Sequence, residues 1–145
     1  MGANYQTRPA AARDFDFAWA AYEPAVKTVI GAHRPWESDQ ERQRFRSIWS
    51  PEETVIIQVG GEDVGWVSVQ ASGQTMTITN LALLDAKQRQ GVGTEVFNDL
   101  VSEARTKGQS LEFSILKGSG FVETVKRAGS VSIGEDQVST RMQLR

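Results

Sequence analysis

Three strand-like segments follow one another between residues 54 and 84, and this run limits the possible folds more than any other feature of the chain. Residues 54–59 are apolar and β-branched, residues 64–71 alternate, and residues 75–84 alternate before becoming fully apolar. Gly60-Gly61 and Ser72-Gly73 supply the turns between them. The sequence therefore predicts three consecutive antiparallel strands.

Helical spacing of apolar residues surrounds this run. Before it, residues 15–22 and 38–49 predict two helices, the first bending or ending near Pro24 and the second stopped by Ser50-Pro51. After it, residues 91–107 predict an amphipathic helix that ends at Gly108. A short helix is expected over residues 120–128, and the remaining strands are expected at residues 5–8, 111–115, 131–133 and 138–144. The turn of the last hairpin is predicted at residues 134–136.

This order of elements predicts an α+β (mixed α/β) fold with a mixed, mostly antiparallel central sheet of about seven strands and helices on both faces. The strand, helix and strand from residue 75 to residue 116 are expected to form a right-handed parallel crossover. With 145 residues, 39% hydrophobic and 23% charged, the chain is expected to be one domain spanning residues 1–145.

Composition excludes several classes of function. The net charge of −2 and the dispersed basic residues argue against nucleic acid or an anionic membrane as a partner. Without any cysteine, a thiolate metal site and a cysteine-bound acyl intermediate are impossible, and one histidine cannot build a multi-histidine site, so no metal is predicted. Charged residues interrupt the apolar ones in the first twenty positions, and we expect a cytoplasmic protein.

The segment LALLDAKQRQGVGTEVFNDL, from Leu81 to Leu100, carries the most chemical information. A helix that begins near residue 91 directs unpaired backbone N–H groups and the positive end of its dipole at whatever precedes it. Glycines let a phosphate approach that backbone, and neighbouring side chains add donors. A solvated loop before an ordinary helix is the alternative. The predicted diphosphate site consists of Gln88, Arg89, Gln90, Gly91, Val92, Gly93 and Thr94.

The hexapeptide from Gln88 to Gly93 matches the signature Q/R-x-x-G-x-G/A of the GNAT superfamily of acyl-CoA-dependent N-acyltransferases. The order of elements resembles this family over almost the whole chain, including the opening Arg8-Pro9. The resemblance implies a GNAT-like fold, acetyl-CoA as cosubstrate and a diphosphate held by the amides of residues 89–94. It also implies that the main chain of Leu81, Ala82 and Leu83 follows the pantetheine arm, where the next strand splays away, and that an N–H there stabilises the oxyanion.

One position departs from the family pattern. Many relatives carry a tyrosine in the last helix that protonates the departing thiolate, but the register against Ala128-Gly129 places Val125 there and Ser119 or Gly118 at an earlier asparagine. Ser119 is therefore a further candidate for cofactor binding. A valine cannot donate a proton. The leading hypothesis is an N-acetyltransferase that acts by direct attack of a primary amine in a ternary complex. The alternative is a non-catalytic acyl-CoA-binding or sensing module.

The resemblance implies an acceptor site among the first helices, and the base is expected there because the middle strand carries no carboxylate and offers only threonines and Asn80. His33 is favoured as the base, since imidazole titrates near neutral pH, and Asn80 is the second catalytic candidate. Tyr22 and Trp36 are candidates for the acceptor pocket, whereas Trp19 and Trp49 are expected in the core. The predicted acceptor is a small-molecule amine or a peptide, and the protein is expected to be a monomer or homodimer. The other potential bases are Glu23, Glu37 and Asp39.

Overall fold

Seven strands form one mixed sheet in the computed structural model, which describes residues 5–84, 91–117 and 121–145. The spatial order is β1-β2-β3-β4-β5-β7-β6. The strands are β1 (Gln6–Pro9), β2 (Thr54–Val59), β3 (Glu62–Ser72), β4 (Thr75–Leu83), β5 (Ser110–Leu116), β6 (Val131–Glu135) and β7 (Ser139–Leu144). Only the β4–β5 pair is parallel, and every other neighbouring pair is antiparallel. The mixed, mostly antiparallel sheet predicted from the sequence is confirmed.

In the part of the chain that the structure describes, four α-helices pack on the two faces of the sheet. They are α1 (Phe15–Gly31), α2 (Ser38–Ile48), α3 (Val92–Thr106) and α4 (Val122–Arg127). The prediction of an end near Pro24 is wrong, because α1 continues for seven residues beyond it. Ala21 and Val26 are buried on either side of the proline, so packing against the sheet holds the helix together where its hydrogen bonding is interrupted.

Neighbouring residues of one strand separate the two faces. Ile56 packs with α1 and α2, whereas Ile57 packs with α3 and α4. We call these the α1–α2 face and the α3–α4 face. The core of the first is mainly aromatic: Phe15, Trp19, Phe45 and Trp66. The core of the second is mainly aliphatic and also contains Phe97 and Phe113, whose ring centroids lie 5.1 Å apart.

The turn of the last hairpin lies later than the sequence predicts. Gly134 and Glu135 belong to β6, and the chain reverses between residues 136 and 138. The Asp136 carboxylate accepts the backbone N–H groups of Val138 and Ser139, both at 2.8 Å, and these bonds lower its pKa. An aspartate that bonds to the main chain of the following residues fixes a turn in this way.

Three charged side chains anchor the first strand. Arg8 donates to the buried carboxylate of Asp14 at 2.9 and 3.1 Å and to Asp63 on β3 at 3.0 Å. The Arg8 guanidinium lowers the pKa of both carboxyl groups. This network joins β1 to the start of α1 and to the central sheet.

Within residues 5–84, 91–117 and 121–145, no helix is both long enough and apolar enough to cross a membrane. The same part of the chain contains no group of three or more His, Cys, Asp or Glu side chains placed to hold a metal ion.

Candidate active site

The two parallel strands at the centre of the sheet separate part-way along their length. Their pairing runs from Thr75 with Ser110 to Ile78 with Phe113 and ends there. On the other side of β4, Ser68 pairs with Asn80 while Val69 pairs with Ile78, so Thr79 is an extra residue that bulges out of the ladder. A bulge bends its strand. From Thr79 onward β4 therefore remains paired with β3 alone, and an opening lies between it and β5.

Main-chain groups of β4 line this opening. The Leu84 N–H donates to the Val64 carbonyl at 2.8 Å, so the main-chain groups of Leu84 and Ala82 point toward β3. Backbone groups alternate in direction along a strand. The N–H and C=O of Leu81 therefore point away from β3, toward the side from which β5 has diverged.

The start of α3 presents amides without a side-chain cap from the residue before it. Gly91 occupies that position with φ of +84°, in the left-handed region that favours glycine, and it has no side chain to offer. The first helical bond runs from the Glu95 N–H to the Gly91 carbonyl at 3.0 Å. The N–H groups of Val92, Gly93 and Thr94 precede it, and together with the helix dipole they favour an anion.

Gly93 has a packing role that the sequence did not indicate. A Cβ atom there would lie 3.3 Å from Leu83 Cδ1 and 3.6 Å from Phe121 Cε2. The missing side chain thus allows the first turn of α3 to lie close against β4 and the start of α4. Gln88, Arg89, Gln90 and Ser119, which the sequence also assigns to the cofactor, lie outside the described residues.

A groove continues from the start of α3 toward α4. It has a volume of about 290 Å³, and Thr94, Asn98, Thr124, Arg127 and Ala128 line it. Thr94 therefore belongs both to the first turn of α3 and to this groove, and Arg127 brings a positive charge to it. Val125 lies on the same short helix but is fully buried in the core, so it places no proton donor at the opening.

A second cleft, also of about 290 Å³, lies on the α1–α2 face. Three aromatic side chains form much of its wall: Phe45 and Trp49 from the α2 region and Trp66 from β3. The sequence predicts Trp49 in the core, whereas the structure leaves it half-buried along this cleft. Thr79 and Asn80 of β4 also line it. The cleft therefore reaches β4 at the bulge where the strands begin to separate.

Polar groups also line this cleft. Glu53 is the one carboxylate among the described residues that line it, and its Oε1 accepts the Gln70 Nε2–H at 3.0 Å. Ser68 is buried, and its Oγ lies 2.5 Å from Thr54 Oγ1. Sequence reasoning missed both residues, since neither belongs to a recognisable motif.

The acceptor-site residues predicted from the first helices lie elsewhere. His33 is exposed just after α1, and Tyr22 is half-buried with its ring stacked on Phe45 at 4.6 Å between centroids. Burial raises the pKa of the Tyr22 phenol. The Trp36 Nε1–H donates to Glu23 Oε2 at 3.0 Å. Of the catalytic and acceptor-pocket residues named from sequence, Asn80 is the one that the structure places along the cleft.

The model of the acetyltransferase (GNAT) family matches residues 14–116 of this sequence. The chain belongs to this family. The protein is therefore an acetyltransferase, as the resemblance in the sequence implied. A search of curated proteins gave no match.

Solved structures of N-acetyltransferases share the fold. PaiA N-acetyltransferase from Thermoplasma acidophilum, in complex with coenzyme A, gives a TM-score of 0.75 at 9% identity, with 99% of each chain covered. The ribosomal-protein-S18-alanine N-acetyltransferase from Escherichia coli gives 0.64 at 16% identity, covering 97% of this chain and 92% of that one. N-acetylglutamate synthase from Neisseria gonorrhoeae, complexed with coenzyme A and N-acetyl-glutamate, gives 0.67 at 17% identity, covering 100% of this chain and 36% of that one. The GNAT-like fold predicted from sequence is confirmed.

Proposed function

We propose that this protein transfers an acetyl group from acetyl-CoA to a primary amine by direct attack in a ternary complex. One observation carries the proposal: the strand opening and the α1–α2 cleft meet on β4, at the bulge beside Asn80. A thioester that enters the opening from the α3–α4 face would reach an amine held in the cleft on the other face.

The cosubstrate side follows from main-chain chemistry. The amides of Val92, Gly93 and Thr94 would bind the diphosphate of CoA, and the Leu81 N–H and C=O would bond to the amide groups of the pantetheine arm. The groove that contains Arg127 offers space for the rest of the nucleotide. Two relatives of this fold, PaiA and N-acetylglutamate synthase, were solved with coenzyme A, which supports the choice of ligand.

The reaction needs a neutral amine and a stabilised oxyanion. The ammonium group first loses a proton to a carboxylate or to water, and its lone pair then attacks the thioester carbonyl carbon. The C–N bond forms, a main-chain N–H of β4 near the opening stabilises the oxyanion, and the C–S bond breaks. The attacking nitrogen loses its second proton and the thiolate takes one up, so the products are the acetylated amine, free CoA and one proton released to solvent. No metal takes part.

A second candidate function has an observation in its favour. Because the fully buried Val125 occupies the position expected for the proton donor, the protein is alternatively an acyl-CoA-binding module without turnover. Loss of a general acid typically slows transfer by roughly 10²- to 10⁴-fold. A thiol with a pKa of about 8.5 is nevertheless a fair leaving group near neutral pH, and this favours the enzyme.

The test uses the full chain, acetyl-CoA and a panel of primary amines. The proposal expects the release of free CoA thiol together with an acetylated amine detected by mass spectrometry. If no amine gives product but CoA at 100 times its dissociation constant stabilises the fold by about 2.7 kcal/mol, the binding module is supported instead. The proposal keeps the single domain, the cytoplasmic location and the monomeric or homodimeric state expected from sequence.

A further inference from the structure

We infer that the α1–α2 cleft binds its acceptor as a small ammonium ion on an apolar body, held by Glu53 and Ser68, and that it disfavours amines with an adjacent carboxylate. This rests on the proposed function, because it names the substrate class of the same site. It also gives Glu53 a specificity-determining role that the sequence did not suggest.

The charges around the cleft favour a cation. Ten described residues line it, and Glu53 is the one charged side chain among them. Gln70 donates to one oxygen of Glu53, and none of the described cationic side chains forms an ion pair with this carboxylate. An ammonium ion would therefore gain an opposite charge, whereas a substrate carboxylate would find a like charge and no cation among the described lining residues.

The hydroxyl of Ser68 is committed as a hydrogen-bond acceptor toward a ligand. Thr54 Oγ1 lies 2.6 Å from the Ser50 carbonyl, which can only accept, so the Thr54 proton is used there. The Ser68 proton must then point at Thr54 Oγ1. Ser68 is left with lone pairs alone, and these suit an N–H donor such as an ammonium group.

The walls and the size of the cleft define the rest of the acceptor. The rings of Phe45, Trp49 and Trp66 favour an apolar body and attract a cation to their faces. A volume of about 290 Å³ lies at the lower limit of typical ligand pockets, so a small molecule fits better than a peptide chain. Ser68 pairs with Asn80 across the strands, which places the ammonium beside the opening where the thioester would lie.

The experiment measures binding rather than turnover. Isothermal titration of the full chain, saturated with CoA, would compare 2-phenylethylamine with 2-phenylethanol, which lacks the charge, and with phenylalanine, which adds a carboxylate. We expect the amine to bind at least about 10-fold more tightly than either analogue, because hydrogen bonds that involve a charged group typically contribute about 1.5 kcal/mol or more. Equal affinity for the three compounds, or tighter binding of phenylalanine, would overturn the inference.

Two variants locate the effect. Glu53 is exposed, so solvent screens its charge, and Glu53→Gln is expected to weaken binding of the amine by about 5-fold and to leave binding of the alcohol unchanged. Glu52→Gln is the matched control, because Glu52 is exposed like Glu53 but does not line the cleft, and its carboxylate accepts the Ser50 hydroxyl at 3.0 Å. Unchanged affinity of Glu53→Gln for the amine, or an equal loss in both variants, would count against the inference.

The two proposals fail separately. If the amine binds selectively but is never acetylated, the proposed transfer is wrong and the inferred ligand class stands. If the protein acetylates amines but prefers phenylalanine, the transfer stands and the inference about the cleft is wrong.

Discussion

The two sides of β4 are built from different parts of the chain. On the α3–α4 side, the candidate groups are main-chain amides at Val92, Gly93 and Thr94 and the main chain of Leu81. On the α1–α2 side, they are side chains of Trp49, Glu53, Ser68 and Asn80, from the segment between α2 and β2 and from β3 and β4. A main-chain site requires glycines at fixed positions, whereas a side-chain site can be assembled from distant residues. The first side is therefore suited to one constant ligand and the second to a ligand that is particular to this protein.

The largest expected effect comes from a change in β3 directly opposite β4, the strand that both candidate sites share. A Cβ atom on Gly65 would lie 2.3 Å from the Ala82 carbonyl oxygen and 2.5 Å from the Leu83 side chain. We expect Gly65→Ala to lower the free energy of unfolding by about 3 kcal/mol and to weaken binding of both CoA and amine. Urea unfolding and titration would measure these effects.

Gly134→Ala is the matched control within a strand, because nothing lies within 4 Å of its Cβ position. Gly65→Ala could instead be as stable as the control variant and bind CoA and amine with unchanged affinity. That result would contradict the proposal that both sites depend on the close packing of β3 against β4.

The next largest effect is a loss of stability that should leave both candidate binding sites unchanged. Asp14→Asn removes the charge that Arg8 contacts with two hydrogen bonds, and we expect a loss of about 2 kcal/mol in unfolding free energy at pH 7. Because the folded pKa of Asp14 is lowered, its contribution is complete above the unfolded value of about 3.9 and is lost as pH falls through the folded pKa. The variant should therefore lose less stability between pH 5 and about pH 2 than the wild type does.

Asp16→Asn controls for loss of charge, since Asp16 is exposed and pairs with Arg42 at the surface. Affinities for CoA and amine should not change in either variant. A change in ligand affinity with Asp14→Asn alone would show that the anchor of β1 also shapes a site.

A smaller change should separate the α3–α4 side from the α1–α2 side. Gly91 and Gly108 both have positive φ, at +84° and +69°, and both have open space at the Cβ position, at opposite ends of α3. Alanine at either position should cost about 1 kcal/mol of stability through backbone strain. Only Gly91→Ala should also weaken CoA binding, by about 10-fold, because it disturbs the amides that are proposed to bind the diphosphate.

The affinity for amine should stay the same in both of these glycine variants. Equal CoA affinity for Gly91→Ala and Gly108→Ala, measured by titration, would remove the diphosphate from the start of α3.

The smallest effect should separate two residues that the sequence names as catalytic candidates. Asn80→Ala is expected to lower kcat/KM for the amine by about 5-fold, as the loss of one hydrogen bond would, because Asn80 lines the cleft at the bulge. His33→Ala should leave kcat/KM within about 2-fold, since His33 is exposed and lies outside the cleft. If steady-state kinetics showed a larger loss of kcat/KM for His33→Ala than for Asn80→Ala, the catalytic base would instead lie among the first helices.

Local patterns account for what the sequence predicted well. The strand at Thr54–Val59 was predicted with its observed bounds, and Gly91 and Gly108 mark both ends of α3, because alternation and left-handed glycines are short-range signals. The end predicted near Pro24 was wrong because packing at Ala21 and Val26 maintains the helix. Glu53 gave no signal and Trp49 was assigned to the core, since their place in the cleft depends on how α2 lies over β3 and β4, which short-range patterns do not encode.

Nitrogen–proton NMR correlation spectra of the full chain test the central claim most directly, because they report on backbone amides and indole N–H groups together. With CoA added, we expect the largest chemical-shift changes at the amides of Val92, Gly93 and Thr94. With 2-phenylethylamine added, we expect the largest shift at the indole of Trp49, relative to the indole of Trp36, which does not line the cleft. If CoA shifted the Trp49 indole strongly and left the three amides unchanged, the assignment of CoA to the α3–α4 side of β4 and of the amine to the α1–α2 side would be contradicted.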